Sequence, residues 1–358
     1  MTFLAWLRGH HEWPETTPTA DMAPSMPPTP SNISVVVPVR DNQAGINVLL
    51  RWWTAAAPAA ELVVVDDGST IPVVASEPNV KLIRTRGHGP ASARNTGWLA
   101  ARGPWVAFVD SDCTPDGEWP RPFISSWAGE VAMQGRVTTA QRHVFATYYE
   151  SQRVLTPMHW DRNGRPRYLI TANALVWRPA LELVGGFHRA FQLAAGEDID
   201  LGYRLAAVGR LGWAPMAIVT HEWEASLAAF VRRFHRYGRG NRQLAHLQPS
   251  LAPLMRPIPF RARSPGILNS ALAQVAWLSL ATGWLRESAG RTVSQGAVGA
   301  WPVAQTASAD AMDIQTSGCP YAQGAGLPAL PPGRLLSRSR NPIGGRGNAG
   351  DSIHLGGG

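Results

Sequence analysis

Two pairs of acids stand out by type and spacing. Asp110-Ser111-Asp112 places carboxylates two residues apart after an apolar run, and Asp66-Asp67-Gly68-Ser69 places two adjacent ones after another. Oxygen ligands of this kind suit hard cations such as Mg2+ and Mn2+, which one or two carboxylates hold together with a substrate phosphate. Each cluster alone is equally explained as a turn after a strand, where aspartate bonds the local backbone. Together they are harder to dismiss. Four carboxylates facing one crevice repel one another unless a cation and a polyphosphate-bearing ligand join them.

The elements that must position these acids are readable from apolar runs. Strands are expected at Ile33–Val39, Glu61–Val65, Val80–Thr85 and Trp105–Val109, with helices at Gln43–Ala57 and Ala91–Ala101. Continuous rather than alternating apolar strands between helices indicate an α/β fold, a mostly parallel sheet covered on both faces. Ligands of such sheets bind beyond the carboxyl ends of the strands, where both acidic clusters sit. Further on, strands are expected at Val131–Val137, Tyr168–Trp177 and Leu211–Thr220. Helices are expected at Phe145–Val154 and Glu197–Val208, and over Ala225–Leu244 with interruptions at Gly238 and Gly240. Glu197, Asp198 and Asp200 crowd the first turn of their helix, which suits its positive dipole end. No Gly-x-Gly-x-x-Gly follows a strand, which argues against a dinucleotide site.

In order, the chain carries Ile33-Ser-Val-Val-Val-Pro-Val-Arg-Asp-Asn42, Val-Val-Asp-Asp-Gly-Ser-Thr70, Gly89-Pro-Ala-Ser-Ala-Arg-Asn-Thr-Gly97 and Phe108-Val-Asp-Ser-Asp112. Thr171-Ala-Asn173, Val184-Gly-Gly-Phe187, Gly196-Glu-Asp-Ile-Asp-Leu201 with Arg204, and Val219-Thr-His221 follow. This series resembles the family 2 glycosyltransferases over residues 33–245. The resemblance implies a GT-A fold, Rossmann-like, and inverting transfer of a sugar from a nucleotide-diphosphate donor to an acceptor hydroxyl, with Mn2+ or Mg2+ as cofactor. It assigns Asp67 to the nucleobase with Pro38 and Arg40 beside it, and Asp66 less certainly to the same pocket. Asp110 is assigned to the ribose or sugar, Asp112 and His221 to the metal. Asp198 becomes the general base and Glu197, with Asn173, an acceptor contact. Arg94 is either a donor contact or a partner for a nearby acid. Arg40-Asp41 replaces the family's frequent aromatic-Asn pair, and no Gln-x-x-Arg-Trp motif is present, which points to single additions. A nucleotidyltransferase and a non-catalytic nucleotide-sugar-binding protein are the competing readings on the same fold.

The 358 residues carry 33 basic and 25 acidic side chains, net +8, and only Lys81 among the basic ones is a lysine. Residues 225–263 hold eight arginines and no acid, so the whole excess lies in one segment. That localisation argues against a nucleic-acid-coating protein and for a cationic segment facing the donor diphosphate, an anionic lipid-linked acceptor or an anionic membrane surface. The acceptor that the resemblance implies is a hydroxyl compound, lipid-linked or glycan. The expected setting is cytoplasmic, with peripheral association at the inner face of the plasma membrane. Residues 1–32, with six prolines and too short an apolar run for a secretory signal, read as a disordered leader. Residues 33–112 form the nucleotide-binding half and 113–245 the acceptor half. Residues 246–289 read as a helical segment that packs on the domain or lies on a membrane. Residues 290–358, with 14 Gly and 6 Pro, read as a low-complexity tail. Two cysteines exclude a disulfide scaffold.

Overall fold

A computed structural model describes residues 14, 20–56, 60–77, 79–259, 263 and 266–289. In chain order the elements are β1 (Ile33–Val39), α1 (Gln43–Ala56), β2 (Glu61–Asp66), β3 (Val80–Arg84), α2 (Pro90–Ala100), β4 (Trp105–Val109), β5 (Cys113–Pro115) and α3 (Arg121–Ser126). There follow β6 (Ala132–Thr138), α4 (Val144–Gln152), β7 (Asn173–Trp177), α5 (Arg178–Val184), α6 (Glu197–Ala206), β8 (Leu211–His221), α7 (Leu227–Leu247), α8 (Ala252–Met255) and α9 (Ile267–Ala289). The expected α/β class is present. Eight strands form one sheet in the order β3-β2-β1-β4-β7-β6-β8-β5.

Strands β3, β2, β1 and β4 are parallel to one another, whereas β7 runs antiparallel to both β4 and β6. β4 is buried at every position and β1 at all but Pro38, as continuous apolar runs covered on both faces should be. Helix α1 supplies one cover through Ile46, Leu49, Leu50 and Trp53, the i, i+3, i+4, i+7 stripe of an amphipathic helix. Helix α2 lies so close to β1 that a side chain at Gly97 would collide with Val36. Asn95 on α2 clips the far half of the chain, donating to Phe187 O at 2.7 Å and accepting from Phe187 N at 2.9 Å.

The antiparallel edge settles where the chemistry can happen. β5 pairs with β8 so that Cys113 lies opposite His221, and Glu222 N donates to Asp112 O at 2.9 Å. The end of the Asp110–Asp112 turn is thereby fixed beside His221. A second core of Tyr148, Tyr149, Trp223, Phe230 and Phe234 with Leu272, Ala273 and Ala276 ties α4, α7 and α9 together.

Three local expectations differ from the structure, and one that was left open is decided. Helix α7 runs unbroken through Gly238 and Gly240. A Cβ at Gly238 would meet Leu280 O on α9, and one at Gly240 would meet Ala195 O just before α6. These glycines serve close backbone approach rather than a break. Residues 168–172 are not strand, because Ile170 N is bonded by the Gln134 side chain (Oε1, 2.6 Å) instead of a ladder partner. Residues 20–32, expected in the disordered leader, lie against the domain: Met22 N donates to Val208 O at 2.8 Å and Trp105 Nε1 to Met26 O. Helix α9 packs on α7, where a Cβ at Gly283 would strike His235 O. Of the described helices, none is long and apolar enough to cross a membrane. The remaining leader, the 290–358 tail, Cys319 and Arg261 lie outside the described residues.

The α7–α9 contact should therefore be sensitive to a single added side chain. Gly238→Val is expected to cost about 1–3 kcal/mol through overpacking, lowering Tm by roughly 2–12 °C for a domain of this size. Thermal denaturation followed by circular dichroism reads it. An unchanged Tm would show that the helices do not approach as described.

Candidate functional site

The carboxyl ends of β1, β2 and β4, the start of α6 and one face of α7 enclose a cavity of about 890 Å³. Pro38, Arg40, Asp67, Arg94, Asp110, Asp112, Glu197, Asp198 and His221 all line it. Nine of the eleven residues singled out in the sequence are thus brought together. Asp66 and Asn173 are not.

Asp66 is buried beneath the turn it ends. Its Oδ1 accepts from Ser69 N at 2.8 Å, and its Oδ2 accepts from Val73 N and from Arg84 Nη1 at 2.8 Å. Asn173 is completely buried in β7, accepting from Trp119 Nε1 and donating to Arg136 O and Ala217 O. Its amide is spent on holding β6, β7 and β8 together, so it does not serve as an acceptor contact.

Asp67 reaches the cavity already engaged. Its Oδ1 accepts from Thr85 Oγ1 and His88 N, and its Oδ2 from Gly89 N at 2.8 Å. A carboxylate has about four acceptor sites, so one on Oδ2 remains for a ligand. Arg40 is more than half exposed, 3.8 Å from the Asp41 carboxylate. The loops around it are cross-tied: Asp41 bonds the 69–70 turn through Ser69 Oγ and Thr70 N, and Asn42 donates to Ser111 O.

Arg94 is the junction of the site. Its Nη2 donates to Asp110 Oδ1 at 2.6 Å and its Nη1 to Glu197 Oε1 at 2.9 Å, with the guanidinium almost fully buried. Burial alone would lower its pKa, but Asp110 and Glu197 more than offset this and hold it above the usual arginine value. Of the two readings of Arg94, the structure shows the partner of acids. Burial pushes the Glu197 carboxyl up while Arg94 pulls it down, and its Oε2 is buried without a hydrogen-bond partner. Asp198 stands next to it at the cavity wall. Burial, then the charge of Glu197, pushes its carboxyl up to about 7. A carboxyl at that value is poised to take up a proton near neutrality.

At the other wall, His221 Nε2 lies 3.3 Å from Asp112 Oδ2, with the imidazole buried. Burial lowers the His221 pKa against the pull of Asp112, favouring the neutral ring, whose Nδ1 is buried without a hydrogen-bond partner. Cys113 Sγ is the third donor atom within 4.8 Å. Burial and then the negative Asp112 push its thiol well above the ordinary value, so it stays protonated. A neutral imidazole and a carboxylate can serve Mn2+, Mg2+ would take the carboxylate oxygen alone, and the protonated thiol fits neither.

The sequence reading missed the aromatic and basic support of this wall. Arg233 on α7 grips Glu224 with Nε and Nη2 at 3.0 and 2.8 Å and donates to Tyr237 Oη. Its guanidinium lies 4.8 Å above Trp223, which lies 4.2 Å from the His221 ring and stacks on Tyr149 at 4.1 Å. The spacing Arg233, Arg236, Tyr237, Asn241 places these residues on one helical face, and all four line the cavity. That periodicity was the available signal.

Removing the Arg94 fork should expose its structural weight. Arg94→Met leaves Asp110 and Glu197 unpaired and is expected to cost about 3–5 kcal/mol, read by urea denaturation at pH 8. Glu197, with a folded-state pKa above its unfolded value, binds more protons when folded. Stability of the variant therefore rises as pH falls toward 5, and the deficit shrinks. A deficit independent of pH would contradict the buried pairing.

Residues 34–182 match the family model for glycosyl transferase family 2. The chain is 29% identical over 250 residues to the pre-mycofactocin glycosyltransferase of Mycobacterium tuberculosis strain H37Rv, an alignment covering 65% of this chain and 52% of that protein. It is 34% identical over 89 residues to an uncharacterized glycosyltransferase of Haemophilus influenzae, covering 22% of this chain and 36% of that one. The chain thus spans about half the length of the mycobacterial relative it matches. Among solved structures, the mannosyltransferase of Pyrobaculum calidifontis in complex with GDP-Man and Mn2+ is similar at 17% identity and a TM-score of 0.46. That likeness covers 81% of this chain and 83% of the other. Residues 1–349 of S. aureus TarS are similar at 19% identity and a TM-score of 0.40, over 63% and 70% of the two chains. Residues 34–182 thus carry the likeness to glycosyl transferase family 2, and the ordered motifs in and after that stretch converge on one cavity.

Proposed function

We propose that the protein is a metal-dependent, inverting glycosyltransferase that moves a sugar from a nucleotide-diphosphate donor to an acceptor hydroxyl in single additions. The observation that carries this reading is the fork of Arg94, which brings Glu197-Asp198 to the same cavity as Asp110, Asp112 and His221. Pro38, Arg40 and Asp67 border the nucleoside end, with the free site on Asp67 Oδ2 taking an N–H of the base. Asp110, tethered by Arg94, faces the ribose and sugar.

Asp112 and His221 would hold Mn2+ or Mg2+, whose charge offsets the negative charge growing on the diphosphate leaving group. Asp198 accepts the proton of the acceptor hydroxyl as that oxygen attacks the anomeric carbon from the face opposite the departing diphosphate. Glu197 keeps Arg94 in place and presents its free Oε2 toward the acceptor side. The cytoplasmic setting, an anionic membrane surface as a docking place and the absence of nucleic-acid partners belong to the same reading.

Asp198→Asn should lower kcat by about 10²–10⁴-fold while leaving the affinity for nucleotide diphosphate within two-fold, roughly, as read by calorimetry. Undiminished turnover would remove Asp198 from the mechanism. Because the base must be ionised, kcat/KM should rise with pH through about 7 and level off above it. The pair Asp112→Ala and His221→Ala should each weaken Mn2+ binding in electron paramagnetic resonance titrations. Unaltered Mn2+ affinity in both would place the cation elsewhere.

A further inference from the structure

The wall of the cavity contributed by α7 and the segment after it carries more positive charge than the protein neutralises. Arg233 is fully engaged by Glu224 and Tyr237. Arg236, Arg256 and Arg263 also line the cavity, yet none of the three forms an ion pair among the described residues. Nε of Arg236 is buried without a hydrogen-bond partner. Arg256 and Arg263 are exposed and Arg236 is half-buried, so an anion entering the cavity would meet guanidinium groups that no carboxylate pairs. Six arginines and six carboxylates line the cavity, so the unpaired positive charge is local to these three residues.

Its neighbours say which ligand it meets. Leu155, Met158, Ile170, Leu254 and Ile258 line the same cavity, giving an apolar surface beside the arginines. Tyr168, whose hydroxyl accepts from Met158 N, feels the charges of both Asp198 and Arg263. Arg263 is thus on the side of Asp198, the proposed base, whereas Arg236 lies by Glu224, and both line the one cavity. The acidic wall of Asp112 and His221 already feels the charge of Arg233, which Glu224 engages. At about 890 Å³ the cavity is near the upper end of the roughly 300–1,000 Å³ range of single-ligand sites. It has room for donor and acceptor side by side.

We infer that the acceptor is an apolar hydroxyl compound bearing an anionic group, carboxylate or phosphate, which Arg236 and Arg256 bind with Arg263 beside them while Asp198 faces its hydroxyl. The inference rests on the glycosyltransferase reading for the identity of that ligand as acceptor. The site itself stands on the cavity wall. Carboxylate and phosphate present the same chemistry to a guanidinium, a pair of oxygens accepting two parallel N–H bonds.

Calorimetry on the full chain tests this with three probes, 3-phenyllactate, phenyl phosphate and the neutral 3-phenylpropane-1,2-diol. Each is measured with and without Mn2+ and whichever of UDP, GDP or dTDP binds. The wild type should bind at least one anionic probe about ten-fold more tightly than the diol, and which of the two it prefers separates a carboxylate from a phosphate acceptor. The Arg236→Gln/Arg256→Gln double variant should lose that preference and leave nucleotide affinity within about two-fold. Arg256→Gln alone, at an exposed position, should lose part of it and guards against a folding defect in the double variant. Equal binding of acid and diol by the wild type would overturn the inference. So would a double variant that weakens nucleotide rather than acid binding, since the arginines would then serve the diphosphate. Failure of all three nucleotides to bind with Mn2+ would instead sink the donor-site reading, while the comparison of acid with diol would still report on the arginine wall.

Discussion

The site depends on one buried cation. Arg94, on the helix that follows the third strand of the sheet, spans 103 residues of sequence to reach Glu197 and 16 to reach Asp110. A buried guanidinium is tolerable only where carboxylates surround it, and buried carboxylates only where a cation does. Each of the three therefore enforces the placement of the other two. The start of α6 cannot drift from the end of β4 without leaving a charge unpaired in the interior. The same constraint sets the chemistry of Asp198, which forms no ion pair among the described residues and whose ionisation burial and Glu197 resist against the pull of Arg94.

Around this junction the backbone supplies two rigid walls. One is the β5–β8 pairing, which sets Cys113 opposite His221 and so holds Asp112 against the imidazole. The other is helix α7, whose glycines let it approach both α9 and the Ala195–Gly196 turn at backbone distance. That approach brings the α7 face bearing Arg233 and Arg236 to the cavity that Asp198 lines. Apolar and aromatic packing beneath α4, α7 and α9 fixes the helix without spending its charges. The acids Asp110 and Asp112 with His221, and the basic, apolar face of α7, thereby border one cavity.

The sequence disclosed the parallel half of the sheet because β1, β2 and β4 are buried on both faces and therefore written as unbroken apolar runs. It disclosed the acids through their position at strand ends. It could not disclose β5, since three residues carry no period, and so the proximity of Asp112 to His221 came only through the family resemblance. Gly238 and Gly240 read as helix breaks because local propensity counts an isolated helix, whereas here the neighbours require the missing side chains. Thr171-Ala-Asn173 looked like a ligand contact by its place in a motif, yet burial turned its amide inward to three structural bonds. Arg94 left two readings open, and only the tertiary fold, by bringing Glu197 to it, decided between them. The excess positive charge was legible as a number and a segment, but not that Arg239 pairs with Glu287 on α9 while Arg236 faces the cavity.

The central claim is that these residues act together on the anomeric carbon of a nucleotide sugar, with attack from the face opposite the leaving group. It is tested most directly by proton magnetic resonance of the first sugar released when the protein, Mn2+ and a panel of α-linked nucleotide sugars are mixed with water as the acceptor. Spectra must be taken before the free sugar mutarotates. The account predicts that the β anomer appears first and that its release is lost in Asp198→Asn. First release of the α anomer, or β release that persists at full rate in that variant, would contradict it.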